Sequence, residues 1–341
     1  MKLLKNKGKK KFLKKVFVKL ARLAGYEIID QFNYNVPTSS LSLGKNLCVP
    51  GLKNITVPLG EVEVTRKIYS LHVIFRSCTS NLMLTQSKKR IFSEKKAEYT
   101  IRSLHSILKS LNKAKKLFKD TKFKITISDT KSSDADLLKI KNLLLKFNYD
   151  FTIDQIKLDK FKDKIDKNSV SENQYSNMAN IYSSYCRAKN GTGDLYYFVE
   201  DDYIHQEKAI LEMLLTYERI SSLLKKEIII CPADYPYLYF NFNPSTIFIG
   251  NKSHWRSVNE TLCTFLTSKK MLLQHWDLFI SMAKKEHLPF QKPLHEIYKK
   301  ELCISPIPSL AMHCTNVNSI YGLPPNFDWE KAWEDNKYQD S

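Results

Sequence analysis

From residue 66 onward, short apolar runs alternate with longer segments of helical period, and this alternation constrains the fold more than any other feature. "SLHVIFRSCTS" (70–80) reads as a strand that ends in polar residues. In "SEKKAEYTIRSLHSILKSLNKAKKLF" (93–118), Ala97, Ile101, Leu104, Leu108 and Leu111 share one helix face. "FKITISDTKSSD" (123–134) is a second strand running into a polar loop, after which Ser133 caps "DADLLKIKNLLLKF" with Asp136 at the third helical position. "DFTIDQI" (150–156) predicts a third strand, and 175–189 a helix on Met178, Ile181, Tyr182 and Tyr185. "DLYYFVEDDYIH" (194–205) is the fourth strand, followed by a helix over 206–224 on Ile210, Met213, Leu214 and Tyr217. "EIIICPADYPYLY" (227–239) reads as a fifth strand. Ser268 caps the helical "KKMLLQHWDLFISMAKK", and "CISPIPSLAMHC" (303–314) is a late strand broken by prolines.

Strands that alternate with helices predict a mixed, mainly parallel α/β sheet sandwiched by helices. Ligands of such sheets bind beyond the C-terminal strand ends. The polar ends "RSCTS", "SDTKSSD" and "EDDYIH" are therefore expected to meet at one cleft.

The first 26 residues are of another kind. They hold ten basic residues and no acidic one. Leu13, Val16, Leu20 and Leu23 recur at helical spacing between lysines, and Gly25 stops the pattern. A basic amphipathic helix suits an anionic membrane surface. Residues 26–65, with "VPTSSLSLG" and "VPGLKNITVPLG", read as an irregular connection. The expected division is thus a basic extension (1–65), a catalytic domain (66–325) with a nucleotide-binding half (66–205) and an acceptor half (206–325), and an acidic, aromatic tail (326–341).

Composition removes several classes. No apolar run reaches the roughly 20 residues of a membrane span, and lysines interrupt every possible signal-peptide core. The expected location is cytoplasmic, peripheral on the inner face of the plasma membrane. The seven cysteines are scattered without zinc-like spacing, which fits reduced, packed thiols. Net charge is +19, yet lysine supplies 46 of the 54 basic residues and arginine eight. Arginine is the better reader of bases and phosphates, so this excess argues against nucleic acid as the partner.

The chemistry concentrates in "FVEDDYI". An apolar strand runs directly into Glu200, Asp201 and Asp202. On an extended chain Glu200 and Asp202 point to one side and Asp201 to the other. Carboxylates spaced in this way can grip one hard divalent cation, Mn2+ or Mg2+, which keeps open positions for phosphate oxygens. The simpler alternative is an acidic cap on the next helix. His205, three residues beyond Asp202, reads as a solvent-facing residue of that helix rather than a further ligand.

The ordered series of motifs over residues 68–325 resembles the glycosyltransferases of the GT-A fold. The resemblance makes "FVEDDYI" the metal motif, with Asp202 the main ligand and Glu200 and Asp201 on ribose or metal-bound water. It puts Asp129 of "ISDTKSSD" on the base or ribose, with Asp134 in the same loop, and Arg76 of "IFRSCTS" beside the donor. "PIPSLAMH" resembles the late strand whose terminal histidine completes the metal shell, which implies His313. "KPLHEIYKKE" stands where inverting members carry an acidic base, which implies Glu296, although the pair there is His295–Glu296 and the link to His313 is short. Asp234 and Glu260 are the other candidates for the base. Tyr235, Tyr237, Trp255 and Arg256 are expected on the acceptor side, where aromatic faces suit sugar rings and arginine suits an anion.

The implied activity is transfer of a sugar from a nucleotide-sugar donor to a glycan or lipid-linked acceptor, with inversion, in cell-surface polysaccharide synthesis. Two alternatives stay open: a sugar-phosphate nucleotidyltransferase on a similar sheet, although "FRSCTS" lacks that class's glycine-rich loop, and a lysine-rich nucleic-acid binder.

Overall fold

A computed structural model describes residues 2–26, 53–56, 60–80, 90–166, 170–240, 244–316 and 318–338. Much of the expected connection, residues 27–52 and 57–59, lies outside the described residues, as do the last three of the C-terminal tail.

The chain divides into two compact units. The smaller contains helix α1 (Lys2–Leu23) and the two-stranded pair β1 (Lys53–Thr56) and β2 (Gly60–Glu63). The larger includes residues 63–341 and carries the α/β architecture. It runs β3 (Ser70–Ser77), α2 (Lys96–Leu117), β4 (Lys122–Asp129), α3 (Asp134–Phe147), β5 (Asp150–Gln155), α4 (Glu172–Asn190), β6 (Leu195–Glu200), β7 (Tyr203–His205) and α5 (Ala209–Leu224). After β8 (Ile229–Ile230) come β9 (Ile247–Ile249), β10 (His254–Ser257), β11 (Phe265–Ser268), α6 (Lys269–Gln274), α7 (Trp276–Lys284), α8 (Lys292–Tyr298), β12 (Cys303–Ile307), β13 (Ala311–His313) and α9 (Trp329–Glu334).

Nine strands form one sheet in the order β5-β4-β3-β6-β11-β8-β12-β10-β9. β5, β4, β3 and β6 are parallel neighbours. β11 runs against β6 and β8, β12 is parallel to β8, and β10 runs against β12 and β9. Only β10 and β11 therefore oppose the common direction. The expected mixed, mainly parallel sheet between helices is what the chain forms.

Both faces of the sheet are buried, which is why its central strands read as unbroken apolar runs. Leu71, Val73 and Phe75 of β3, with Leu195, Tyr197 and Val199 of β6, face the core made by α2, α3 and α5. Ile74, Tyr196 and Phe198 face the other core, made by α4, α6, α7 and α8. Ser133 caps α3 as expected, accepting from the Asp136 amide, and Ser268 caps α6.

Several expectations need correction. The fifth strand is only two residues long, because Pro232 and Pro236 remove ladder donors and the chain turns into a 3-10 turn at Pro236–Tyr239. The late strand is two strands in different sheets, β12 in the main sheet and β13 paired with β7. His205 sits on β7, buried, with its ring nitrogen hydrogen-bonded to the Tyr197 hydroxyl, and does not face solvent. The acidic tail packs: Trp333 stacks on Phe92 at 3.9 Å between centroids, and the Arg102 guanidinium lies over its indole.

Candidate functional site

The C-terminal ends of β3, β4 and β6 open onto one cavity of about 300 Å³. Its walls include Arg76, Ser77 and Cys78 at the end of β3, Thr130 after β4, and Glu200, Asp201 and Asp202 at the end of β6. The three polar strand ends thus converge as the topology requires.

Strand alternation decides which way each group looks. Arg76 and Glu200 are paired in register, and both continue the row that faces α4. Arg76 is buried there, 3.1 Å from the Glu200 carboxylate and 3.2 Å from the Asn177 amide oxygen. Burial disfavours its charge, but Glu200 keeps the guanidinium firmly protonated, with its pKa raised. Asp201 belongs to the opposite row and faces α2. It accepts from the Cys78 amide (3.0 Å) and the Thr100 hydroxyl (2.8 Å), and it is ion-paired with Lys96. Both oxygens of Asp201 are engaged by protein donors. This binds the end of β3 to the start of α2, while Asp201 also stands on the cavity wall.

Asp202 and His313 lie 111 positions apart in the chain and meet through a small ribbon. β7 and β13 pair antiparallel with His313 opposite Tyr203, and the Cys314 amide donates to the Asp202 carbonyl at 2.8 Å. The His313 ring stacks on Tyr203 at 4.8 Å. Its Nδ1 lies 2.9 Å from the Tyr321 carbonyl. A carbonyl only accepts, so Nδ1 carries the proton and Nε2 turns toward Asp202 Oδ2, 3.5 Å away. Two lone-pair acceptors then face each other across a buried gap, and a positive charge is needed between them. A proton on Nε2 would supply it. Burial alone would lower the His313 pKa, but Asp202 and then Glu200 raise it. Burial would raise that of Asp202, but His313, Lys96 and Arg90 hold it far below the usual carboxylate range.

The same pair suits a divalent cation. Mg2+ bonds of about 2.1 Å put adjacent octahedral ligands roughly 3 Å apart, close to the observed spacing. The chain supplies two donors here; among the described residues no cluster of three His, Cys, Asp or Glu gathers as a ligand set. Ligand oxygens and water would complete the shell.

Other expected residues are placed differently. Asp129 is buried at the end of β4 and accepts from Ser77 Oγ, Ser132 Oγ and the Ser132 amide. Burial raises its pKa against those bonds. It closes the loop, and its neighbour Thr130 reaches the cavity. Asp134 is exposed at the first position of α3.

None of the three candidates for the base lines the cavity. Glu296 is half-buried on α8 and paired with Lys299 at 2.7 Å, because α8 turns its apolar face inward and this one away from the core. Asp234 is buried against Arg256 and Tyr239. Glu260 accepts from the Tyr321 hydroxyl at 3.3 Å, and the carbonyl of the same tyrosine orients His313.

The expected acceptor side is core. Trp255 is 0% exposed and packs with β8 and α5 residues. Tyr235 is buried against Tyr203 with their hydroxyls 2.6 Å apart, Tyr237 donates to the Glu260 carbonyl, and Arg256 is committed to Asp234. Aromatic content alone does not tell a sugar platform from a packed core.

The reading of the residues missed Lys96, Asn173, Gln174, Asn177, Asn180 and Gln291, all of which line the cavity. A signal existed for some of them. Lys96 opens the helix after the first strand, where a parallel sheet brings helix N-termini to the strand ends. Asn173, Asn177 and Asn180 recur at helical spacing in "ENQYSNMAN".

No protein-family model matches the chain, and no curated protein matches it either. Solved structures resemble it at low identity. The crystal structure of S. aureus TarS matches 60% of this chain at 12% identity with a TM-score of 0.34, and the chain spans only 29% of TarS. The galactosyltransferase LgtC, in complex with donor and acceptor sugar analogs, matches 78% of this chain and all of its own at 10% identity, with a TM-score of 0.33. The UTP-bound UGPase of Acinetobacter baumannii matches 79% of this chain and 93% of its own at 8% identity, with a TM-score of 0.41.

Proposed function

We propose that the chain is a metal-dependent glycosyltransferase of the GT-A type. It moves a sugar from a nucleotide-sugar donor to a glycan or lipid-linked acceptor in cell-surface polysaccharide synthesis. One observation carries the reading: Asp202 and His313 face each other at 3.5 Å on the wall of a cavity formed by three strand ends.

Asp202 Oδ2 and His313 Nε2 hold Mn2+ or Mg2+ in this reading, and the ion supplies the positive charge that neutralises a departing diphosphate. The Tyr321 carbonyl and the Tyr203 ring fix the imidazole before ligand arrives, so no reorganisation is needed at the moment of reaction. Arg76, held by Glu200, adds a fixed guanidinium at the floor. Lys96 adds an ammonium on the α2 side. The amides of Asn173, Gln174 and Gln291 suit the hydroxyls of a sugar or ribose. The expected base Glu296 sits on α8 outside the cavity lining.

The test is nucleotide diphosphate release from a panel of nucleotide-sugars with Mn2+. Asp202→Asn and His313→Ala should each lower it at least ~100-fold, and chelation should abolish it. Turnover unaffected by either substitution would sink the proposal. Lys96 beside the two aspartates also suits the nucleotidyltransferase alternative; release of pyrophosphate from a nucleoside triphosphate would select that reading instead.

A further inference from the structure

Helix α1 presents two unlike faces. At about 100° per residue, Phe12, Leu13, Val16, Phe17, Leu20 and Leu23 fall within one arc of roughly 140°. They stand in solvent: Phe12 is 68%, Phe17 64%, Leu20 59% and Leu23 78% exposed. Lys15, Lys19 and Arg22 occupy the other side, where with Val18 they line a shallow groove. Over its whole length the helix carries ten basic residues and no acidic one. Among the described residues no helix is long and apolar enough to cross a membrane. In α1 the lysines recur in every turn.

An exposed apolar arc flanked by cations is complementary to one kind of surface, an apolar interior beneath a layer of negative charge. We infer that α1 lies in the plane of an anionic lipid bilayer, with Phe12, Phe17, Leu20 and Leu23 sunk to the acyl boundary and its lysines at the headgroups. A nucleic acid would leave the apolar arc in water, and a second copy of the helix would bring two cationic faces together. Neither signal is strong alone, so both are required together. Membrane binding is independent of the transferase reading, and it is measured without turnover.

The test is co-sedimentation of the full chain with vesicles of phosphatidylcholine alone and of phosphatidylcholine mixed with phosphatidylglycerol. The wild type should sediment with the mixed vesicles, weakly with the neutral ones, and less as salt rises. Each basic side chain at the surface is worth roughly fivefold in partitioning, so Lys15→Glu with Lys19→Glu should lower binding about 25-fold or more. Phe12→Ser with Phe17→Ser should lower it at least about tenfold with all charges kept. All four substituted side chains are exposed, and both variants should keep the wild-type thermal midpoint. Failure of the wild type to bind mixed vesicles overturns the inference. So does equal binding to neutral vesicles, or a dimer in analytical ultracentrifugation that Phe12→Ser/Phe17→Ser dissolves while vesicles are ignored. DNA binding that survives Phe12→Ser/Phe17→Ser while vesicle binding is absent would assign the face to nucleic acid and refute it equally.

Discussion

Glu218 offers a quantitative test of the packing between α5 and the entry into β3. Its side chain is buried on α5; Oε1 accepts from the Ile68 amide at 2.8 Å, and Oε2 is buried without a hydrogen-bond partner. Burial pushes the carboxyl up to about 7 from an ordinary 4.5, against the Ile68 amide and Arg66, which favour the charge. The folded state therefore holds this proton more tightly than the unfolded chain does. The associated stability is fully present below pH 4.5, falls as pH rises, and is lost above about pH 7. At about 1.4 kcal/mol per unit, the interval is worth roughly 3 kcal/mol. Glu218→Gln keeps an acceptor for the Ile68 amide and cannot ionise. Urea unfolding of wild type and variant at pH 5, 6, 7 and 8 isolates the effect, since titrations common to both cancel in the difference. The variant should be no more stable at pH 5 and about 3 kcal/mol more stable at pH 8. A difference that stays flat over this range, or that favours the wild type at high pH, would refute the burial argument.

Three further outcomes follow from the same geometry. Lys96→Met strands the buried Asp201 carboxylate with two neutral donors, and should destabilise the fold by about 3–5 kcal/mol, read as a drop in the urea midpoint. Gly250→Ala drives a methyl group into the Trp255 indole and the Thr216 hydroxyl, and should cost about 1–3 kcal/mol in the same measurement. Glu296→Gln removes a side chain whose partner is the neighbouring Lys299; it should leave diphosphate release within about twofold and the urea midpoint unchanged. A large loss of turnover in that variant would return Glu296 to the site.

Local pattern accounts for what the sequence alone determined. Apolar runs buried on both faces, amphipathic helices of regular period and the Ser133 and Ser268 caps are encoded within a few residues of where they act. They fixed the mainly parallel sheet and the cavity beyond the ends of β3, β4 and β6. The short strands β9 to β11 escaped because runs of three or four residues carry no period to read. The Asp202–His313 pair was reached through a resemblance between motifs; the contact itself exists because β13 leaves the main sheet and pairs with β7. Burial was beyond local reading altogether. Nothing in "SHWR" or "KPLHEIYKKE" says that Trp255 lies in the core while Glu296 stays outside the cavity lining, because exposure depends on which elements pack on either side. A residue's chemistry is written in its own side chain, but its dielectric surroundings and partners come from distant parts of the chain. Only the folded arrangement decided which of these acids and aromatics meet at the cavity.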